Sequence, residues 1–408
     1  MTLCRVSGEP LIEVLDLGMQ PLGNGFSAGG NGNSEYSYHL RCGFSEISKL
    51  FQLIEQPPPA VMFNDTYAFL SSTSSRMKTH FRRLAQYCKT TFLQNSGNEL
   101  VVEIGCNDGI FLEEIARLGV AHLGVEPSGN VEKIAASKGL RTVKEFFSLE
   151  LARSIREEYG PASVVVATNV LCHIANLNEI ALAIRELLTE DGVLITEDPY
   201  LGSVLRLNSY DQIYDEHVYL FSALSISHVF HLVGLELIDV EPQDVHGGSM
   251  RYVLARSGRY KPSARTQLVL SQEISEGLHE ARTFFAFSKR VSESASSLKQ
   301  LLLSVKKDNG SLVAFGATSK STTIYNYAGI GPDLISKIYD NTPTKIGKFS
   351  PGVNIPIVSS EMFPEIGHGH VFLAAWNHEK EIRRKYAALE QSGRRWIVHV
   401  PSPQFLNP

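Results

Sequence analysis

Between residues 99 and 200 the chain switches repeatedly between two hydrophobic periods, and this alternation restricts the fold more than any other feature. ELVVEIG, AHLGVEP, SVVVATN and DGVLITED are short apolar runs rich in Val and Ile. FLEEIARLG, VEKIAASKG, SLELARSIREEYG and LNEIALAIRELLTE between them carry helical spacing. Strands alternating with helices of about 10–15 residues build a parallel sheet covered on both faces. HVFHLVGLELIDVEP and SMRYVLARSG read as a helix and two strands that extend it. After a polar, helix-rich connector at 265–308, SLVAFG, ISKIYDN, NIPIVS, HVFLAAW and WIVHVP start a second alternation, with helices at about 320–328, 359–365 and 378–391. Residues 1 to about 60 are rich in Gly, Ser and Pro and have few apolar residues of their own. The Gly-rich run at 29–33 is loop material, and Pro57 to Pro59 cannot occupy a helix interior.

A chain of 408 residues exceeds one ordinary core, so two or three domains are expected. The net charge of -5 offers no basic face for nucleic acid. No apolar run is long enough to span a bilayer, and the N-terminus lacks the pattern of a signal peptide. Cys4, Cys42, Cys88, Cys106 and Cys172 are odd in number and never form a C-x-x-C pair. A disulfide framework is therefore not expected, and a cytoplasmic location is.

The most specific local signal is Val101-Val102-Glu103-Ile104-Gly105-Cys106-Asn107-Asp108-Gly109, a buried strand entering a glycine-containing turn that opens a helix. Ligands of such sheets lie at the carboxyl ends of the strands. Gly105 and Gly109 allow close backbone approach, and Glu103 and Asp108 place carboxylates for an ammonium group. The next strand ends in Gly124-Val125-Glu126-Pro127, where Glu126 stands at the distance that suits ribose hydroxyls. The loop lacks the G-x-G-x-x-G array that meets a pyrophosphate, which favours S-adenosylmethionine over NAD. With Asn107, Pro127, Asn130 and Asn169, these residues form the expected cofactor set.

Eight blocks carry a further signal: LDLGMQPLGNGF, VVEIGCNDG, LGVEPSGN, ATNVLCHIANLN, IYDEHVYLFS, HGGSMRYVLAR, FGATSKSTT and DNTPTKIGKFSPGVNIPI, of which the last four are not generic to methyltransferases. In order, and over nearly the whole chain, they resemble the S-adenosylmethionine-dependent sugar C-methyltransferases of deoxysugar biosynthesis. The resemblance implies an α/β protein: a class I, Rossmann-like methyltransferase core, a small irregular N-terminal lobe and a second Rossmann-like domain that holds a nucleotide sugar. The expected boundaries are 1–75, 76–262 and 263–408. The family methylates a carbon, often C3, beside the ketone of a nucleotide-linked 4-keto-6-deoxysugar. Family members typically hold zinc in the N-terminal lobe through two C-x-x-C pairs. Here those positions read Cys4, Ser7, Ser45 and Ser48, and a protonated hydroxyl is a poor ligand, so zinc is not expected.

Carbon methylation needs a base, a donor facing the enolate oxygen, and exclusion of water. In Tyr214-Asp215-Glu216-His217, His217 suits the base. Tyr214 can donate to the ketone oxygen, and Glu216 can orient His217 or bind a sugar hydroxyl. The resemblance assigns this motif catalysis residue for residue, and adds His173 and Tyr67, with Phe69 where a second family tyrosine would stand. His246-Gly247-Gly248-Ser249 reads either as a pocket-lining turn (His246, Gly248, Ser249) or as a plain strand connection. In the C-terminal part, Lys320, Ser321 and Thr322 open a helix and suit a diphosphate. Asp340 suits a ribose or base, and Lys345 and Lys348 suit phosphate charge. Two rival readings stay open: methyl transfer to O or N of another small molecule, and a nucleotide-sugar-binding protein without catalysis.

Overall fold

Three sheets are built from strands whose burial follows the sequence pattern. A computed structural model of the chain describes residues 2–29, 36–65, 67, 70–93, 97–309, 312–365 and 369–407; the Gly-rich run after Gly29, and Phe69, lie outside these. Across the seven-stranded central sheet the order is Leu235–Gln243, Ser249–Arg256, Leu188–Pro199, Ala162–Thr168, Leu100–Ile104, Ala121–Val125 and Thr142–Val143. Every residue of Leu100–Ile104 is buried, as a parallel strand covered on both faces requires. Ser249–Arg256 is inserted antiparallel beside Leu188–Pro199. The chain leaves Leu100–Ile104 toward one edge and returns on its other side at Ala162–Thr168, which makes a topological switch point between those two strands.

The C-terminal sheet repeats this arrangement with six strands: Ile357–Ser359, Ile338–Asp340, Leu312–Phe315, His370–Leu373, Trp396–Val398 and Gln404–Phe405. Only the last pairs antiparallel. Its switch point lies between Leu312–Phe315 and His370–Leu373. There Gly316 has φ 97°, and a Cβ on it would lie 2.5 Å from that of Ala375. The helix Ser319–Ala328 starts just beyond, capped by the Thr318 hydroxyl accepting from the Ser321 N–H. The polar connector is two helices, Ala264–Ser275 and Ala281–Asn309. Among the described residues, no helix is long and apolar enough to cross a membrane.

The N-terminal lobe is more regular than its Gly, Ser and Pro content suggests. Ile12–Pro21, Ser37–Phe44, Phe51–Leu53 and Tyr219–Leu220 form an antiparallel sheet. Its fourth strand comes from far along the chain, directly after the Tyr214–His217 motif. The lobe's buried face (Leu17, Leu40, Phe44, Phe51) shares one apolar core with the helix Ala281–Asn309 and the C-terminal sheet. Phe284 sits at that junction, 4.3 Å from Phe44 and 5.4 Å from Phe51 between ring centroids. Borrowed core thus supplies the order that local composition does not. Truncating the fully buried Phe284 to Ala should cost about 3–5 kcal/mol in a urea melt, as cavity formation at an aromatic site does.

Candidate active site

A cavity of about 430 Å³ opens at the switch point of the central sheet. Its lining includes Glu103, Gly105, Asn107, Glu126, Pro127 and Asn169 from the expected cofactor set, and Tyr67, His173, His246 and Ser249 from the expected catalytic and substrate sets. Gly105 has φ 69°, and a Cβ there would come within 2.4 Å of Val170, so the turn after the first strand requires glycine. Glu126 accepts from the Asn107 N–H at 3.0 Å and the Ser128 N–H at 2.8 Å, which fixes its carboxylate at the strand end. Burial, with Asp108 and Glu126 adding negative charge, holds the Glu103 carboxyl well above the usual range. Its Oε2 and the Asn169 Oδ1 are buried without a hydrogen-bond partner. Such orphaned acceptors fit the ammonium and hydroxyls of a bound S-adenosylmethionine.

Two expected cofactor residues are not among the cavity's lining residues. Asp108 accepts from the Ser72 N–H at 3.1 Å, and the Asn130 side chain donates to the Tyr67 carbonyl at 2.8 Å. Asn107 accepts from the Ser71 N–H at 3.0 Å, and Asp65 accepts from the Gly129 N–H at 3.0 Å. These contacts hold the segment around Tyr67 over the cavity.

The candidate catalytic side chains meet in one aromatic column. Phe63 lies 5.6 Å from Tyr67 and stacks on His173 at 5.4 Å; His173 stacks on His217 at 5.5 Å, and Tyr214 tilts against His217 at 4.4 Å. Tyr214, Glu216 and His217 are 6%, 4% and 2% exposed and are not among the cavity's lining residues. The His217 Nδ1 lies 2.7 Å from the Gln212 carbonyl, which can only accept, so Nδ1 carries the proton. Nε2 is left as the basic nitrogen, 3.2 Å from the Tyr214 hydroxyl. Burial, then the nearby His173 and Lys320, hold His217 well below the usual imidazole range, so it is neutral. Burial alone lowers His173 to about 4. Burial, then Glu216, hold the Tyr214 hydroxyl well above its ordinary range, which keeps it a donor. Glu216 is raised by burial and then by the charge of Asp215. Cys172 brings a third donor within 4.8 Å of the two histidines, but burial keeps its thiol protonated and hence a poor metal ligand.

Farther out, the structure redistributes the expected substrate contacts. His246 has φ 52°, and its carbonyl accepts from Lys320 at 3.1 Å. Gly248 has φ 110° and packs on Ser203, so this turn both joins two strands and brings His246 and Ser249 to the cavity. Lys320 is lowered by burial to about 8. The Ser321 hydroxyl donates to the Thr318 carbonyl at 2.6 Å, and that of Thr322 to the Gly23 carbonyl at 3.1 Å. Both Asp340 oxygens accept backbone N–H groups, from Ala317 and Thr342 at 2.7 Å. Those three side chains are therefore engaged within the protein. Lys345 donates to the Ala317 carbonyl at 2.8 Å and lies over the Phe26 ring, and Lys348 is half-buried.

Some participants escaped the sequence reading. Glu197 lines the cavity and is held by His80 and Arg251, each at 2.6 Å. Its place at the carboxyl end of DGVLITED was the available signal. Asp211 is fully buried, accepting from Trp376 at 2.7 Å beside His399 at 3.3 Å. Nothing local marks that pairing, because its partners lie far along the chain.

Three family descriptions match the chain in order: a putative zinc binding domain over 4–63, a methyltransferase domain over 76–240, and a C-methyltransferase C-terminal domain over 244–401. The C-methyltransferase NovU of Streptomyces niveus is 31% identical over 412 residues, covering 99% of this chain and 96% of NovU. Two solved structures are similar at lower identity. A SAM-dependent methyltransferase from Archaeoglobus fulgidus has TM-score 0.34 and 19% identity over 42% of this chain and 72% of that one. Magnesium protoporphyrin IX methyltransferase from Synechocystis PCC 6803, with bound SAH, has TM-score 0.35 and 15% identity over 46% and 89%.

The first of those descriptions implies zinc, and the donor set does not fit it. Cys4 Sγ lies 3.2 Å from the Ser48 hydroxyl and accepts from the Gln52 amide at 3.2 Å, while the Ser48 N–H donates to the Ser45 hydroxyl at 3.2 Å. Cys4, Ser45 and Ser48 are buried in this hydrogen-bond cluster and half-buried Ser7 joins it through its N–H, 3.5 Å from the Cys4 Sγ, so one thiol and three hydroxyls stand where four good donors are needed. For the cofactor end, Glu126→Gln should weaken binding of S-adenosylhomocysteine about tenfold or more by calorimetry, the cost of losing a charged acceptor. Gly105→Ala should abolish that binding.

Proposed function

The chain belongs to the S-adenosylmethionine-dependent sugar C-methyltransferases, and from that premise we propose that it methylates a carbon, C3 in our reading, beside the ketone of a nucleotide-linked 4-keto-6-deoxysugar. The observation that carries this reading is the His217 tautomer. With Nδ1–H committed to the Gln212 carbonyl, Nε2 presents a lone pair inside a buried site beside a tyrosine that stays protonated. That pairing suits removal of an acidic C–H with stabilisation of the enolate oxygen. An O- or N-methyl transfer needs no such carbon acid.

In this mechanism His217 Nε2 takes the proton from the carbon next to the ketone. The Tyr214 hydroxyl turns from Nε2 to donate to the developing enolate oxygen. S-adenosylmethionine supplies an electrophilic methyl on its sulfonium, and Glu103, Gly105 and Glu126 hold it at the strand ends. His173, a cavity-lining residue, stacks on His217, and Tyr67 lines the same cavity; both help exclude water from the reacting face. Glu216, neutral through burial and the charge of Asp215, donates to a sugar hydroxyl. The C-terminal switch point, where half-buried Lys320 donates to the His246 carbonyl and Lys345 to the Ala317 carbonyl, is the natural seat for the nucleotide part, with Lys348 three residues beyond Lys345. Support for methyl transfer to carbon comes from the likeness to the C-methyltransferase NovU and from the C-methyltransferase C-terminal match over 244–401, and the sugar rests on the motif resemblance.

The test is incubation with S-adenosylmethionine and a panel of nucleotide 4-keto-6-deoxysugars, read by mass spectrometry and carbon NMR. One added methyl on carbon is expected, with loss of roughly 10²–10⁴ in rate for His217→Ala. A methyl found on oxygen overturns the reading. Because Glu216 acts as a neutral donor, the rate should fall as pH rises through its raised pKa. Glu216→Gln, which stays neutral, should retain activity and lose that alkaline limb.

A further inference from the structure

The Leu22–Phe26 stretch of the N-terminal lobe reaches the candidate site from nearly two hundred residues away, and its contacts there are specific. Asn24 Nδ2 donates to Glu216 Oε1 at 2.7 Å, and Asn24 Oδ1 accepts from the Ser319 hydroxyl at 2.7 Å. The Gly23 N–H donates to Asp215 Oδ1 at 2.9 Å, and the Gly23 carbonyl accepts from Thr322. A Cβ on Gly23 would fall 2.9 Å from Asp215 Oδ1 and 3.1 Å from the Tyr214 ring, so the loop must carry glycine to lie this close. The lobe therefore wedges between the Tyr214–His217 segment and the start of the helix Ser319–Ala328.

We propose that Asn24 is a positioning residue for the methyl transfer: held by Ser319, its amide makes Glu216 Oε1 an acceptor, so that the proton of the neutral acid sits on Oε2 and faces the sugar. The inference rests on the role of Glu216 proposed above. Ser319 supplies the orientation, because its hydroxyl donating to Oδ1 leaves Nδ2 as the group aimed at the carboxyl. Without Asn24 the acid can turn over, and its proton is presented toward the sugar only part of the time. The other groups facing Glu216 are Asp215, Tyr214, Tyr38, Tyr67, Cys172 and Lys345. Of these, Asp215 opposes its ionisation, while Lys345 and a hydrogen bond with the Tyr214 side chain favour it. Asn24 donates to the ionised form as well, so its removal moves the Glu216 titration to higher pH.

The experiment compares full-length wild type with Asn24→Ala, Asn24→Asp and Ser319→Ala by two readouts. Infrared titration of the Glu216 carboxyl, identified by subtracting Glu216→Gln, reports on Asn24 without any need for turnover. The pH profile of kcat reports on function. The expected result is a Glu216 titration and an alkaline limb both moved upward in Asn24→Ala, with a smaller shift of the same sign in Ser319→Ala. Asn24→Asp, a carboxylate facing a carboxylate, should move them furthest. The value of kcat should fall about tenfold to a hundredfold in Asn24→Ala, with binding of S-adenosylhomocysteine unchanged. A folded Asn24→Ala whose Glu216 titration matches wild type overturns the proposal, and so does a wild-type pH profile. Full activity in Glu216→Gln with no change in profile would instead remove the proposed role of Glu216 and leave the titration as an independent test of Asn24.

Discussion

Burial of the Tyr210–Leu220 segment where the three sheets meet is the constraint on which the rest of the structure depends. Asp211, Gln212, Asp215, Glu216 and His217 are all buried there, and a buried polar group left unpaired costs about 1–3 kcal/mol. Their partners come from every part of the chain. Trp376 and His399 face Asp211 from the C-terminal domain, Thr323 donates to the Ile213 carbonyl, and Gly23 and Asn24 reach Asp215 and Glu216 from the lobe. Tyr219 and Leu220 then pair with Gln52 and Phe51. The site exists only when all three parts are folded together, which is a reason for a methyltransferase core to carry two accessory units.

The same burial sets the chemistry. In a dry site imidazole loses its proton, phenols keep theirs, and one of two adjacent acids stays neutral. The reacting region therefore consists largely of neutral donors and acceptors, and the Glu197 carboxylate that lines the cavity is paired with Arg251. Forming an enolate in such a place is costly unless positive charge stands close by. In the proposed mechanism a cationic methyl donor would meet that need, and cofactor binding would then favour deprotonation electrostatically.

Much of this was legible in the sequence where the signal is local. The alternating periods gave both parallel sheets, because a doubly covered strand is a continuous apolar run, and the Gly105 turn and Glu126 followed from strand ends. Tyr67, His173, Tyr214, Glu216 and His217 were named from motifs; the rings of Tyr67, His173, His217 and Tyr214 follow one another with Phe63 along one column, while Glu216 accepts from Asn24. What stayed hidden depends on pairing over long distances. The regular sheet of the N-terminal lobe needs a fourth strand from Tyr219–Leu220 and a core shared with Phe284, neither of which composition reveals. Ser321, Thr322 and Asp340 looked free for a ligand because sequence does not show which hydroxyls and carboxylates the backbone already occupies.

The central claim is that His217 removes a proton from carbon before the methyl moves. It is tested most directly by hydrogen exchange in deuterated water with sinefungin bound, an analogue that keeps a positive charge where the sulfonium methyl would stand but has no methyl to transfer. The account predicts deuterium uptake at the carbon beside the ketone of the nucleotide sugar, seen by NMR, and its loss in His217→Ala. Uptake that persists unchanged in His217→Ala would contradict it and move the base elsewhere in the site.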